Sequence, residues 1–215
     1  MDQESSWSVI EQERRWLADL LESRDARDWD RPSLCAGWRI RDVAAHLALA
    51  STPPSLGQML VAGARARGRF HKLNHDVAVR YADHLGVRLI TELREHAGSR
   101  RLPAVTGYRN TLFDVLVHTQ DVALPLGLDH PMPADAARAG AQRVWTMGWP
   151  FWARRRLRPF RLAATDTDWT AGEGALVQGP IAALLLLLTG RTARLDSLSG
   201  AGADRLRQPV GARRC

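Results

Sequence analysis

Three polar residues that are suited to metal binding share one face of a predicted helix. The segment from Asn110 to Gly127 contains Asp114, His118 and Asp121, which are separated by four and then three positions. At about 100° per residue, these side chains fall within about 60° of one another. A carboxylate and an imidazole four residues apart on one helix face can coordinate the same metal ion. A structural ion pair has the same spacing, so the pair alone does not decide between the two interpretations.

The residues around this polar face predict a buried helix with a defined end. Apolar residues occupy the intervening positions Leu112, Phe113, Val115, Leu116 and Val122. Proline cannot continue a helix and glycine readily leaves it, so Pro125 and Gly127 predict where the helix stops. A carboxylate or an imidazole that is buried among apolar side chains must find a partner. A third ligand from elsewhere in the chain would favour the metal interpretation of Asp114 and His118.

Length and composition indicate a folded protein with a large core. The chain has 215 residues, 45% of them hydrophobic, which is enough for one large domain or one domain plus a smaller one. No apolar run reaches the roughly 18 residues that a membrane-spanning helix requires, so we expect no membrane segment. The polar start of the chain does not resemble a signal peptide, and we expect a cytoplasmic protein.

Charge and cysteine content add two weaker signals. The net charge is +7, and arginines concentrate between Arg154 and Arg161. Such a run can bind phosphate or nucleic acid, but no recognition motif accompanies it, and we expect a solvated connector without a nucleic-acid partner. The two cysteines, Cys35 and Cys215, do not suggest a disulfide framework. Cys35 is either a nucleophile or a small loop residue, and the absence of a nearby histidine in the sequence favours the loop residue.

Periodicity and turn residues predict a helical region followed by a small mixed region. We predict a helical bundle over residues 1–157, an α+β unit over residues 158–200 and a disordered tail over residues 201–215. Two strands are expected in the second region, and the second of them could pair back on the first. The predicted helices are Ser6–Leu21, Ile40–Ala50, Ser55–Arg69, Leu73–His96, the segment from Tyr108, Ala134–Arg156 and Ile181–Thr189.

The second long helix carries His46 on an apolar face. A lone histidine in that position is either a satisfied core residue or a ligand. Trp38, just before the helix, is expected to pack over a helix end. The remaining histidines, in and just before the segment Leu73–His96, are expected to be exposed because they fall off its apolar stripe.

Three stretches of this sequence together resemble one protein family. The first runs from Trp29 to Leu47 and reads WDRPSLCAGWRIRDVAAHL, and the second joins Asp114, His118 and Asp121 to Pro125-Leu-Gly. The third covers Leu162–Trp169, Gly179-Pro180 and Leu188–Arg191. This combination resembles the mycothiol-dependent maleylpyruvate isomerase family of the DinB-like superfamily. The resemblance extends over nearly the whole chain.

The resemblance implies a mainly α fold, a DinB-like four-helix bundle with a small C-terminal α+β unit. It also implies a divalent metal, usually zinc, whose ligands here would be His46, Asp114 and His118. Aspartate stands at position 114 where the family pattern usually has glutamate. Two histidines and one carboxylate leave coordination positions open, as in a catalytic zinc site. The resemblance further implies a small thiol cofactor, mycothiol, that acts as a metal-bound thiolate on a small electrophilic substrate.

Four further residues are candidates for supporting roles. Asp121 resembles a family aspartate and would orient His118 or the cofactor, unless it is only a surface carboxylate at a helix end. Arg191 resembles a family arginine that faces the site, and Arg80 and Arg109 are additional candidates for binding a substrate carboxylate. Two other functions stay open: a metal-dependent hydrolase or proton-transfer enzyme without a thiol, and a non-enzymatic metal-binding or interaction module. We expect a monomer or a homodimer.

Overall fold

A computed structural model describes residues 1–52, 70–102 and 106–208 of the chain. The predicted helix Ser55–Arg69 lies outside these residues. The chain divides into two compact units, Met1–His130 and Pro131–Cys215. This boundary falls earlier than the predicted one at residue 157, because the first helix after His130 packs against the apolar helix Ile181–Leu188.

The first unit is built from helices. They are α1 (Gln3–Glu22), α2 (Ala26–Trp29), α3 (Ile40–Ser51), α4 (Phe70–Leu85), α5 (Arg88–Glu95) and α6 (Tyr108–Ala123). α1 packs against α5 and α6, and α3 packs against α4, α5 and α6. The four sides of the bundle are therefore α1, α3, the α4–α5 pair and α6.

α1 shows why this sequence forms a bundle. It begins at Gln3 because the Asp2 side chain accepts a hydrogen bond from the backbone N–H of Ser5 at 2.7 Å. Ile10, Leu17 and Leu21 recur on one face and are buried at 1% exposure or less. Each such side chain stabilises the fold by about 1.5–3 kcal/mol relative to an exposed one. The apolar stripe of α1 therefore supplies a large share of the contacts that hold the bundle.

The predicted helix Leu73–His96 is divided in two. α4 ends at Leu85, and α5 begins at Arg88. Gly86 lies between them with a φ of +52°, a left-handed conformation that glycine adopts without a steric penalty. The buried face of α4 includes Ala78 and Ala82, so small side chains bring it close to α3. Because of this bend, α4 and α5 run in different directions, and each of them contacts α3.

The predicted end of the central helix is confirmed. α6 stops at Ala123, and a single 3-10 turn, Leu124–Leu126, follows it. Gly127 then takes a left-handed φ of +71°. The turn and the glycine terminate the helix just beyond Asp121, so the polar face lies near the C-terminal end of α6.

The second unit contains four helices and a sheet among its described residues. The elements are α7 (Ala134–Thr146), α8 (Ala153–Arg156), β1 (Phe160–Ala164), β2 (Thr170–Ala171), β3 (Ala175–Gly179), α9 (Ile181–Leu188) and α10 (Ala201–Arg207). The predicted helix Ala134–Arg156 ends at Thr146, ahead of the cis peptide bond between Trp149 and Pro150. Residues 201–207, predicted to be disordered, form α10, whose Ala203 is buried.

The sheet has the order β2-β1-β3. β2 pairs antiparallel with β1, and β3 pairs parallel with it, so Leu162 lies opposite both Ala171 and Val177. The predicted pairing of the segment Ala175–Gln178 with the first strand is therefore confirmed. It is parallel because β2, between β1 and β3 in the sequence, reverses the direction of the chain. Gly172 and Gly174 make the tight path possible, since a Cβ at either would collide with the backbone carbonyls of Phe160 and Pro159.

Part of the basic run serves the fold of this unit. The Arg156 guanidinium donates to the carbonyls of Leu187 and Leu188 at 2.6 and 2.9 Å, where α9 ends. Arg154 lies over the Trp145 ring at 5.9 Å. Within the described ranges, none of the helices combines the length and the apolar character that a membrane crossing requires. The fold is mainly α with one small sheet, as predicted.

Candidate metal centre

The N-terminus of α3 fixes the position of His46. The Asp42 carboxylate accepts the backbone N–H of Arg39 at 2.8 Å and two guanidinium bonds from the same residue. Asp42 is 1% exposed, so this pairing holds the first turn of α3 against the bundle. His46 follows one turn later. The contact between α3 and α6 then brings it opposite the polar face of α6.

His46, Asp114 and His118 meet at this contact. Nε2 of His46 lies 3.2 Å from Oδ2 of Asp114, and Nε2 of His118 lies 3.5 Å from Oδ1 of the same carboxylate. The two imidazole rings are 4.9 Å apart between centroids. One oxygen of Asp114 thus faces each histidine, and three candidate donors converge from two helices.

The two separations between the Asp114 carboxylate and the histidine nitrogens are compatible with one metal ion. Zinc bonds to nitrogen and oxygen of about 2.0–2.2 Å, at tetrahedral angles, place neighbouring donors about 3.3–3.5 Å apart. The observed 3.2 and 3.5 Å match this spacing. The donor set of two imidazoles and one carboxylate also suits zinc and related divalent ions. The residues present therefore fit the metal that the resemblance implies.

Asp121 holds the His118 ring from its other side. Oδ2 of Asp121 lies 2.9 Å from Nδ1 of His118, and Asp121 is 0% exposed. A carboxylate only accepts, so Nδ1 carries the proton and Nε2 is directed at Asp114. Asp121 is therefore not a surface carboxylate at a helix end, and that alternative is wrong. Its pairing with His118 is the arrangement by which carboxylates orient metal-binding histidines.

The exposed fractions decrease from one side of the group to the other. The side chains of Asp114 and His46 are 31% and 21% exposed, whereas that of His118 is 13% exposed. Small molecules can therefore approach from the side of Asp114 and His46. The Asp121 side is closed by protein.

The loop before α3 closes the Asp121 side. The backbone N–H of Leu34 donates to the carbonyl of Asp121 at 3.1 Å, which attaches the loop to α6. The Cys35 thiol then donates to Oδ2 of Asp121 at 3.0 Å and lies 3.8 Å from Nδ1 of His118. Cys35 therefore has a histidine beside it in space, although none lies near it in sequence.

Trp38 from the same loop borders both histidines. Its ring lies 5.6 Å from the His46 ring, edge-on, and 6.4 Å from the His118 ring, nearly parallel to it. His75 of α4 contacts the Trp38 ring edge-on at 6.1 Å and is half-buried, so the prediction that it is exposed is wrong. Neither Trp38 nor His75 was predicted to belong to the site, because their contacts cross between separate elements.

The ion pairs shift two pKa values in opposite directions. Partial burial alone would raise the pKa of Asp114, but the charges of His118 and His46 and hydrogen bonds with them lower it well below its usual range. Burial would lower the pKa of His118, but Asp114 and Asp121 raise it well above its usual range. Asp114 is therefore ionised at neutral pH and ready to act as a ligand, while metal binding must release a proton from His118.

The three candidate arginines have these surroundings. Arg80 is exposed on α4 and donates from Nε to the carbonyl of Asp76 at 2.9 Å. Arg109 is exposed at the start of α6, over the Tyr108 ring. Arg191 belongs to the second unit and donates to the carbonyl of Thr189 at 3.0 Å. Their roles in binding a substrate carboxylate stay predictions.

Replacing Asp121 by asparagine is expected to weaken zinc binding by about tenfold, the lower end of the effect usually seen for partners of metal-binding histidines. Asparagine keeps the size of the side chain but loses the charge that fixes the His118 proton on Nδ1. Isothermal titration with zinc measures the change. Asp168→Asn, at an exposed position between β1 and β2, is the matched control and should leave zinc binding unchanged. Unaltered affinity in Asp121→Asn would show that Asp121 does not support the site.

Comparison with known proteins gave one family and two similar structures. Residues 10–123 match the family model of the mycothiol maleylpyruvate isomerase N-terminal domain, and this range includes all four site residues on α3 and α6. A crystal structure of the mycothiol-dependent maleylpyruvate isomerase is 16% identical, with a TM-score of 0.54. A crystal structure of a variant of that enzyme, with one histidine replaced by alanine, is 17% identical, with a TM-score of 0.56.

Both comparisons cover 94% of this chain and 94% of the other. At these identities the two structures support the fold alone. No curated protein matched the chain. The family model matches more than half of the 215 residues, from the first helix to the end of α6. The chain therefore belongs to the mycothiol maleylpyruvate isomerase N-terminal domain family.

Proposed function

We propose that this protein is a metal-dependent, mycothiol-dependent isomerase or S-transferase that acts on a small electrophilic substrate. The observation that carries the proposal is the convergence of His46, Asp114 and His118, with Asp121 fixing His118 from behind. These residues lie inside the part of the chain that matches the family. The proposed metal is zinc, for which the donor spacing is suitable.

A zinc ion bound there would supply a Lewis acid that keeps the cofactor thiol deprotonated near neutral pH. The protein's own residues prepare the position. Asp121 holds His118 in one tautomer and one ring orientation, so Nε2 of His118 already faces Asp114. The carboxylate of Asp114 faces both histidines, with one oxygen directed at each. A thiol and a substrate would approach from the side of Asp114 and His46, the more exposed members of the group.

The neighbouring residues suggest which substrates fit. The Trp38 indole borders His46 and His118 and offers an apolar surface to the reacting part of a substrate. We propose that the substrate also bears a carboxylate, for which Arg191, Arg80 and Arg109 are the candidate partners. Because thiols stay reduced in the cytoplasm, we place the reaction there.

The test measures metal content and thiol dependence together. We expect the purified, untagged protein to hold about one zinc ion per chain, as a mononuclear catalytic site does. A panel of small electrophiles, assayed with and without mycothiol, should show turnover only when mycothiol is present. The control is His84→Ala, which removes an exposed histidine of α4 and should keep both zinc and turnover.

Each other outcome selects a different function. Turnover that requires zinc but proceeds without mycothiol indicates a hydrolase or proton-transfer enzyme, which would use metal-bound water. Protein that binds zinc but converts none of the panel is a metal-binding module without this chemistry. Absence of zinc even after reconstitution contradicts both enzymatic interpretations.

A further inference from the structure

A second group of donor atoms surrounds the other nitrogen of His118. Sγ of Cys35 lies 3.0 Å from Oδ2 of Asp121 and 3.8 Å from Nδ1 of His118. That same oxygen of Asp121 lies 2.9 Å from Nδ1 of His118. We call these three residues the thiol set. The imidazole of His118 thus has one nitrogen directed at each of two groups of metal-binding side chains.

The atoms of the thiol set are close enough together that small shifts would let them bind one ion. With zinc–sulfur bonds of about 2.3 Å and zinc–nitrogen and zinc–oxygen bonds of about 2.0–2.2 Å, tetrahedral donors lie about 3.4–3.6 Å apart. The three observed separations, 2.9, 3.0 and 3.8 Å, fall on both sides of this range. Side-chain shifts of a few tenths of an ångström are enough to match it.

The chemistry of the thiol set differs from that of the first group. A thiolate is a soft ligand and favours thiophilic ions, whereas His46 and Asp114 provide only nitrogen and oxygen. Asp121 is completely buried beneath the loop before α3, whereas Cys35 on that loop is half-buried and is therefore partly accessible to an ion. The thiol set therefore combines a selective ligand with a fixed carboxylate and imidazole.

We propose that Cys35, Asp121 and Nδ1 of His118 form a second metal-binding site, selective for thiophilic divalent ions such as Cd²⁺. A bound ion takes the place of the proton of the Cys35 thiol, which passes to solvent, and of the proton on Nδ1 of His118, which moves to Nε2. Nε2 faces Oδ1 of Asp114 at 3.5 Å. Because a neutral imidazole has one free lone pair, His118 serves one site at a time.

This inference concerns ion binding and does not depend on the proposed reaction. Its consequence is competition for one residue. An ion in the thiol set withdraws His118 from His46 and Asp114, so thiophilic ions should displace zinc from the first group. Cys35 is then the ligand that allows thiophilic ions to displace zinc from the first group.

The experiment uses the full chain with Cys215→Ser, which leaves Cys35 as the only cysteine. Cadmium chloride is added while the ultraviolet charge-transfer absorption from thiolate to cadmium is followed. We expect a rise that saturates near one equivalent. His118→Ala and Asp121→Asn should each weaken cadmium binding at least about tenfold, because each alters a ligand. His84→Ala, at an exposed position on α4, is the control and should leave the titration unchanged. In His46→Ala, which alters the first group, the absorption should persist.

Three results would overturn the proposal. The first is that the charge-transfer absorption is absent in the Cys215→Ser protein. The second is that cadmium binds with unchanged affinity in both His118→Ala and Asp121→Asn. The third is that the absorption is lost in His46→Ala. The second result identifies simple thiol binding, and the third assigns Cys35 to the first group. Circular dichroism is recorded for each variant. If His118→Ala is unfolded, His118→Gln replaces it as the ligand variant.

Discussion

His118→Ala is expected to abolish zinc binding while the protein keeps its helical fold. Structural zinc sites contribute about 10–16 kcal/mol, which over four ligands is about 3 kcal/mol each, or about a hundredfold in affinity. His118 is also the residue that the buried Asp121 holds in place, so both the ligand and its support are lost. Zinc titration and turnover with mycothiol measure the two effects, and we expect both to fall to background.

The same substitution has a limited effect on stability. Without His118, the buried Asp121 loses one hydrogen-bond partner but keeps the Cys35 thiol and the other bonds of its loop. Loss of one partner from a buried polar group costs about 1–3 kcal/mol, which a bundle of this size tolerates. Urea denaturation measures this change. Protein that is unfolded by circular dichroism would instead assign His118 a structural role.

Asp114→Glu is expected to weaken zinc binding, by about tenfold, even though the family pattern usually has glutamate there. In this protein the shorter carboxylate already places one oxygen 3.2 Å from His46 and the other 3.5 Å from His118. An added methylene lengthens the side chain by about 1.5 Å and moves the carboxylate past this position. The helices must then separate, or the new side chain must leave its preferred rotamer.

The packing of α3 explains how aspartate suffices. Ala44, Ala45 and Ala48 are all 0% exposed, and their small side chains let α3 approach its neighbours closely. His46 lies among them, so a close α3 carries its ring towards Asp114. We therefore expect the site to be adapted to aspartate, so that glutamate at position 114 alone does not improve it.

The two variants Asp114→Glu and Asp114→Asn separate length from charge. Asparagine keeps the length and removes the charge, so it should weaken zinc binding more than glutamate does. Zinc titration and the mycothiol conjugation assay are made on both. Tighter zinc binding by the glutamate variant would show that Asp114 marks decay of the site, and the adapted geometry would be wrong.

The sequence alone determined the local part of the site. Helix geometry places side chains three and four residues apart on one face, so Asp114, His118 and Asp121 necessarily lie together once α6 has formed. Pro125 and Gly127 likewise predicted the end of the helix. These features need only the neighbouring residues, and the structure has them as expected. The resemblance in sequence added His46, which no local rule connects to Asp114.

Other features were decided only by the tertiary structure. Cys35 contacts Asp121 and His118 from more than 80 positions away, because the loop before α3 folds onto the end of α6. Asp121 is buried for the same reason, since that loop covers it. Such contacts depend on which faces of the helices meet and on the path of a loop. The spacing of residues along the sequence determines neither the helix contacts nor the path of the loop. The thiol set could therefore be recognised only in the folded structure.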